Sequence, residues 1–324
     1  MAKMEKIYFS IIMPNYNKAN YIATSINSVL NQTYPFFELI IVDDGSTDDS
    51  LSVLESFSDK RIKLIRINNS GAAAARNTGI ESANYGLIAF IDSDDIWLPH
   101  FLGKMVSLIK RFPEAGAYSC AFLRETFDGD NPKKYKGVNC SDSQDYIIEN
   151  YFESVLDVTE AMTASTTVVK KCVFDQCGMF PVGVKNWEDF DMWIRIALYF
   201  EVCYTTCICA VYNDVPNSAS RNKTNLYAPV FENYKMHIKK SGIKGKKKKA
   251  FRLLVAKKEG HAAYEQYLVD HNGMKALRRV IPFLLIRFKD KTYWSAILQF
   301  IFTPERVLKS RYKKGSYGEN NTQD

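Results

Sequence analysis

The chain has little of what would mark several common protein classes. Among its 324 residues are only seven cysteines, an odd number without paired framework spacing, which argues against a disulfide-stapled fold and points to a reducing compartment. Cys203, Cys207 and Cys209 lie in a β-like run from Val202 to Tyr212. No second cysteine pair or histidine follows at metal-site spacing, so they read as buried thiols. The four histidines, His100, His237, His261 and His271, fall outside every motif discussed below and receive no role. The opening MAKMEKIYFS has no uninterrupted apolar stretch of the secretory type. The longest uncharged run of the C-terminal part, Thr292–Pro304, is 13 residues, short of the ~20 needed to span a bilayer. There is no G-x-G-x-x-G turn, which excludes a dinucleotide-binding dehydrogenase.

What is present is ordinary in amount and uneven in placement. Apolar residues make up 46% and charged residues 24%, enough for a sizeable core in one large domain or one domain with an appendage. The net charge of +7 hides a split: residues 231–324 carry 22 Lys/Arg against 8 Asp/Glu, and residues 1–230 carry 21 against 28. The two parts therefore face different electrostatic partners.

The first 120 residues alternate strand and helix patterns. Strands are expected over Ile7–Met13, Phe37–Val42, Ile62–Ile67 and Leu87–Ile91, and helices over Tyr21–Asn31, Asp48–Phe57, Ala72–Ala83 and Pro99–Arg111. Ser46 or Thr47 suits the cap of the second helix, and Pro99 the first turn of the fourth. Near-continuous apolar strands separated by helices predict a mostly parallel sheet covered on both faces, with right-handed crossovers. Polar clusters follow three of these strands: Pro14-Asn15-Tyr16-Asn17, Asp43-Asp44 and Asp92-Ser93-Asp94. Open α/β sheets bind ligands at that edge. Two carboxylates one residue apart at a strand end form a hard oxygen claw suited to Mg²⁺ or Mn²⁺ carrying a diphosphate, although such a cluster is also a common turn. Gly71 and four alanines open a helix that a ligand can approach closely, with Arg76 one turn inside. Further on, residues 124–145 read as a polar excursion, Ser165–Val169 and Val202–Val211 as strands, and Glu188–Phe200 as a helix.

Five segments in order, SIIMPNYN, QTYPFFELIIVDDGSTDDS, NNSGAAAARNTGI, AFIDSDDIW and NWEDFDMWIRI, resemble the family 2 glycosyltransferases of GT-A fold over about residues 7–215. The resemblance implies an inverting transfer of sugar from a nucleotide donor to an acceptor hydroxyl. It places Pro14, Asn15 and Tyr16 at the nucleotide and Tyr16 near base or ribose. Asp43 falls on the position that contacts the nucleobase, and Arg76 near the nucleotide. Asp92 and Asp94 are the outer positions of the D-x-D metal motif, with Ser93 between them. Asp94 is the better direct ligand, while Asp92 reaches the metal directly, through water, or touches ribose instead. Asp189 falls on the catalytic base, with Glu188 and Asp191 as competitors and Arg195 positioned to pair with Asp191. The histidine that many members carry after the last core strand is missing from Ala210–Asn217, leaving Asp214, or diphosphate and water, for the third metal position.

The expected organisation is an α/β GT-A catalytic domain over 1–226, with a nucleotide-binding part to about 120 and an acceptor-side part from 121, followed by a basic, mostly helical extension over 227–324. Helix-like segments there are Phe251–Leu268 and Met274–Phe288, with the apolar Trp294–Phe302 beyond. Apolar residues flanked by Lys and Arg suit a helix lying on an anionic membrane surface, or a solvated cap on the catalytic domain. No base-reading module accompanies the lysine run, so nucleic acid is not expected as a partner. The expected co-substrate is a nucleotide sugar, UDP-linked, and the acceptor a glycan or lipid-linked glycan met at the cytoplasmic face. Two other readings remain: a sugar-1-phosphate nucleotidyltransferase, which would want a Gly-rich, Arg-containing loop after the first strand, and a non-catalytic membrane adaptor on a GT-A scaffold.

Overall fold

The computed structural model describes residues 6–126, 140–156, 162–184, 187–215, 234–256 and 278. These fall into two compact units, one running to residue 243 and the other starting at 244. In the first, nine strands form a single sheet. Its first half is parallel, in the order β3-β2-β1-β4, with β1 at Phe9–Asn15, β2 at Phe37–Asp43, β3 at Ile62–Arg66 and β4 at Leu87–Phe90. Helices α1 (Ile22–Leu30), α2 (Ser50–Glu55) and α3 (Ala72–Glu81) make the crossovers.

β1 shows why both faces are covered: all seven residues of FSIIMPN are buried. Side chains alternate along a strand, so Phe9, Ile11 and Met13 face a core shared with Ile22 and Ile26 of α1. Ile12 points the other way, against α3. There a Cβ added to Gly79 would come 2.5 Å from Ile12 Cγ2, so the alanine-and-glycine composition of α3 lets helix and sheet approach closely.

The second half of the sheet is mixed. β4 pairs antiparallel with β8 (Thr167–Lys170), followed by β6 (Ala117–Thr126), β9 (Val202–Asp214) and the short β5 (Ile96–Trp97), while β7 (Asp145–Ile147) also pairs with β9. β6 and β9 are parallel; the other pairings in this half are antiparallel. Helices α4 (Phe101–Arg111), α5 (Tyr151–Leu156), α6 (Val173–Cys177), α7 (Glu188–Tyr199) and α8 (Tyr234–Ser241) complete the unit.

Several sequence expectations need correcting. Ser46 and Thr47 do not cap α2, which starts at Ser50; their hydroxyls serve the neighbouring loop instead. Pro99 precedes α4 rather than opening it, because the cap position belongs to His100. The strand β6 covers residues to which the sequence assigned no element and runs into the start of the polar excursion. Its partners β8 and β9 supply the ladder that its own sequence does not announce. Residues 127–139 of that excursion lie outside the described residues.

In the second unit residues 245–256 are helical, with Phe251, Leu254 and Val255 buried. The rest of the two predicted tail helices, apart from residue 278, and all of Trp294–Phe302 lie outside the described residues. Among the described residues no helix is long and apolar enough to cross a membrane.

Candidate active site

At the carboxyl ends of β1 and β2, two loops are laced together. Asn15 Nδ2 donates to Asp43 Oδ1 at 2.9 Å and to Ser46 Oγ at 3.1 Å, and Ser46 Oγ donates to Asp43 Oδ1 at 2.5 Å. Asn17, in left-handed backbone at φ 52°, accepts from the Thr47 amide at 2.8 Å through its Oδ1. Asp43 is therefore fully buried and held by protein donors, while the Tyr16 ring stands exposed at this rim and Pro14 is the next-to-last residue of β1. Asn15 Oδ1 is different: it is buried and accepts no hydrogen bond among the described residues. A buried acceptor of this kind fits an N–H donor brought by a ligand. The adjacent Asp44 accepts from the amides of Ser70 and Gly71 at 2.7 and 2.8 Å, fixing the start of α3, where Gly71 adopts φ 91°.

Beyond β4 the chain turns through Asp92-Ser93-Asp94-Asp95, closed by the Asp95 amide donating to Asp92 O at 3.1 Å. Asp94 Oδ2 pairs with Lys18 Nζ at 2.5 Å, and burial followed by the neighbouring Asp92 lifts its pKa against the pull of Lys18. Ser93, which separates the two carboxylates in the sequence, is buried. Asp92 Oδ1 pairs with Arg76 at 2.8 Å. Each carboxylate keeps one oxygen outside its ion pair, so the pair offers hard donors suited to Mg²⁺ or Mn²⁺.

Asp95 was missed in the sequence, where the D-x-D spacing drew attention to its two predecessors. It is buried, accepts from Ser165 Oγ and from the Asn213 amide, and so ties the acidic turn to the segment before β8 and to the end of β9. Burial, with Asp94 and Asp92 close by, raises its pKa well above the ordinary range. Lys18 was missed as well; only the folded chain brings it to Asp94.

The third component enters from α7. Trp187 precedes the helix in left-handed backbone, φ 70°, unusual for a bulky residue, and its ring meets Phe190 edge-on at 5.4 Å. The acids that follow divide by partner. Glu188 is buried and paired with Arg76 at 2.8 Å, and Asp191 pairs with Arg195 at 2.7 Å, one helical turn along. Asp189 is half-buried and accepts from the Phe190 amide at 2.7 Å. Burial, then the like charge of Glu188, raises its pKa to about 6 despite the attraction of Arg76. Among the described residues, Asp189 is thus the one of the three competing acids not consumed by an ion pair.

Arg76 joins the two sides. Its guanidinium spans Asp92 on the β4 rim and Glu188 on α7. Burial alone would lower its pKa, but Asp92, Glu188 and Asp189 together outweigh that and hold it protonated. The residue expected near the nucleotide is therefore the internal strut between the two acidic elements. Asp214 lies at the end of β9, next to Asn213, whose side chain donates to Asp94 O at 2.7 Å.

A parallel half-sheet continued by a mixed half, with acids at the rim of the first and on a helix of the second, is the GT-A glycosyltransferase architecture. In a structural comparison the chain matches residues 1–349 of S. aureus TarS, solved in complex with UDP-GlcNAc, with a TM-score of 0.64. That match covers 98% of this chain and 95% of the other at 18% identity, a likeness of fold. The pattern of the family described as Glycosyl transferase family 2 matches residues 10–169. The putative teichuronic acid biosynthesis glycosyltransferase TuaG of Bacillus subtilis is 31% identical over 224 residues, 66% of this chain and 82% of that one. The chain belongs to glycosyl transferase family 2. The Escherichia coli UDP-Glc:alpha-D-GlcNAc-diphosphoundecaprenol beta-1,3-glucosyltransferase WfgD is 46% identical over 107 residues, 33% of this chain and 42% of that one. An uncharacterized glycosyltransferase of Rickettsia felis is 36% identical over 190 residues, 58% of this chain; the match spans only 30% of that longer protein.

Proposed function

We propose that the protein transfers a sugar from a nucleotide-sugar donor, UDP-linked, to a hydroxyl of a lipid-linked or growing surface glycan, with inversion at the anomeric carbon. The observation that carries this reading is the Arg76 strut: it brings the D-x-D turn and the start of α7 into one charged cluster, with Asp189 left over as the carboxylate able to take a proton. Relatives named for UDP-glucose transfer to a diphosphoundecaprenol-linked sugar and for teichuronic acid synthesis support the donor and acceptor classes.

Asn15, beside Asp43, offers the nucleobase an acceptor with no competing donor, and Tyr16 offers an exposed ring at the same rim. Asp94 and Asp92 would hold a divalent ion, which when bound supplies Lewis-acid stabilisation of charge on the leaving diphosphate. Lys18 neutralises Asp94 in the free protein. Asp189 aligns the acceptor hydroxyl and removes its proton. A pKa near 6 leaves it mostly ionised at neutral pH yet more basic than an ordinary aspartate, which suits a general base. The basic segment from Lys244 onward would rest on an anionic membrane at the cytoplasmic face, close to a lipid-linked acceptor.

The test is Asp189→Asn with UDP-sugars, with and without Mn²⁺. A general base contributes ~10²–10⁴-fold, so transfer should fall by about that factor while calorimetric UDP affinity is retained. Near-normal turnover would overturn the assignment of the base. Failure of every nucleotide sugar to be turned over by the native chain would overturn the function.

A further inference from the structure

Away from the acidic cluster, the fold gathers a second set of ligand-type side chains. The ligating atoms of His100, Cys140, Cys207 and Cys209 all lie within 4.8 Å of one another. They come from three places: the cap residue of α4, the segment leading to β7, and β9. His100 Nε2 is 3.6 Å from Cys207 Sγ, and Cys209 Sγ is 3.3 Å from the same sulfur.

The ladder between β6 and β9 explains how two cysteines of one strand come to converge. Cys120 is opposite Thr205, Ala121 opposite Ile208 and Phe122 opposite Ala210, so the register skips Thr206, Cys207 and Cys209 on β9. Extra residues in one strand of a pair bend it and re-aim their side chains. Both cysteines occupy skipped positions. The segment bearing Cys140 is pinned to this bulge, since the Thr206 amide donates to Gln144 O at 3.0 Å and the Gln144 amide to Thr206 Oγ1 at 2.8 Å. It is pinned to α4 as well, through Lys104 paired with Asp145 at 2.8 Å.

We propose that these four residues form a structural Zn²⁺ site in the reduced protein. One imidazole and three thiolates are a soft, four-ligand set of the closed structural type. Zinc–sulfur bonds of ~2.3 Å in a tetrahedron put neighbouring ligand atoms about 3.8 Å apart, a spacing this cluster accommodates. His100 Nε2 lies 3.0 Å from the Ile208 carbonyl and would exchange that contact for the ion. Cys140 and Cys207 are joined by a disulfide in the structure, and a sulfur so bonded is no thiolate ligand; metal and disulfide are therefore alternatives. A disulfide by itself gives no role to His100 or Cys209, whereas a zinc ion uses all four. Bound there, it would fasten the segment before β7 to α4 and β9. Cys203 and Cys209 are buried free thiols, as the sequence suggested, whereas Cys207 is bonded to Cys140 in the structure; the histidine that sequence spacing did not supply comes from more than a hundred residues upstream of Cys207.

The experiment is zinc analysis of the full chain, purified under a phosphine reductant, with alkylation mapping of its cysteines and Co²⁺ replacement. Expected are one zinc per chain, protection of Cys140, Cys207 and Cys209 while the exposed Cys172 reacts, and the visible bands of tetrahedral sulfur-ligated cobalt. His100→Ala and Cys209→Ser should each weaken zinc by at least the ~10–100-fold that loss of an outer-shell partner costs, and Cys172→Ser should not. Reduced chain without zinc, or zinc held equally by both ligand variants, overturns the proposal. Should Cys209→Ser fail to fold, His100→Ala and the alkylation map decide it alone.

Discussion

Arg76 offers the sharpest test of how the acidic cluster is held. It is buried, and ion pairs of 2.8 Å hold it to Asp92 and to Glu188, with Asp189 near enough to feel its charge. Arg76→Met keeps much of the side-chain volume and removes the cation. Breaking a buried ion pair from one side costs ~3–5 kcal/mol, because the abandoned charge stays desolvated.

The loss should depend on pH, with a definite sign. Asp189 already has its folded-state pKa raised from 3.8 to about 6. A carboxyl raised in this way opposes folding above its folded pKa, and the penalty fades as pH falls through that value. Without Arg76 its pKa climbs further, so the deficit of the variant against the native chain is largest near neutrality and shrinks in acid. Urea unfolding at about pH 8 and about pH 5.5 measures the difference. In the proposed mechanism, the acid limb of kcat/KM moves up from about 6 by one unit for each ~1.4 kcal/mol of lost attraction. Glu188→Gln removes a carboxylate that raises Asp189 and should move the limb the other way. A loss below about 1 kcal/mol, equal at both pH values, with the limb unmoved, would refute the view of Arg76 as the strut.

Asp95→Ala strands the Ser165 hydroxyl and the Asn213 amide and should cost ~1–3 kcal/mol in urea unfolding for each orphaned group, with Asp95→Asn milder because burial already disfavours the charge. Gly79→Ala drives a methyl into Ile12, and the overpacking should lower stability by ~1–3 kcal/mol; an unchanged melting temperature would mean that α3 can lift off β1 freely. Replacing Lys246, Lys247, Lys248 and Lys249 by glutamine should weaken sedimentation with anionic vesicles by up to about 1 kcal/mol per lysine, and added salt should mask the difference; equal binding at low salt removes the membrane role.

The first half of the molecule was legible because its signals are local. Continuous apolar strands such as Phe9–Asn15 and Phe37–Asp43 announce a sheet covered on both faces, and the acids and amides that follow them must sit at one edge once the strands run parallel. The run of alanines before Arg76 likewise announced a helix, α3. β6 was not legible, because a strand in a mixed sheet takes its ladder from partners some fifty and eighty residues away, β8 and β9.

The sequence by itself determined the fold type and the order of the acidic motifs, and it singled out Asp92, Asp94 and Asp189 as candidates. Only tertiary structure decided what each of them faces. It turned Arg76 inward as the bridge between Asp92 and Glu188, gave Lys18 to Asp94, made Asp95 a clamp, and carried His100 to Cys207 and Cys209. The reason is physical: backbone pattern is set by neighbours a few residues apart, while the charge and coordination of a side chain are set by whatever the closed sheet brings within about 4 Å of it, and that distance carries no trace in the spacing of the sequence.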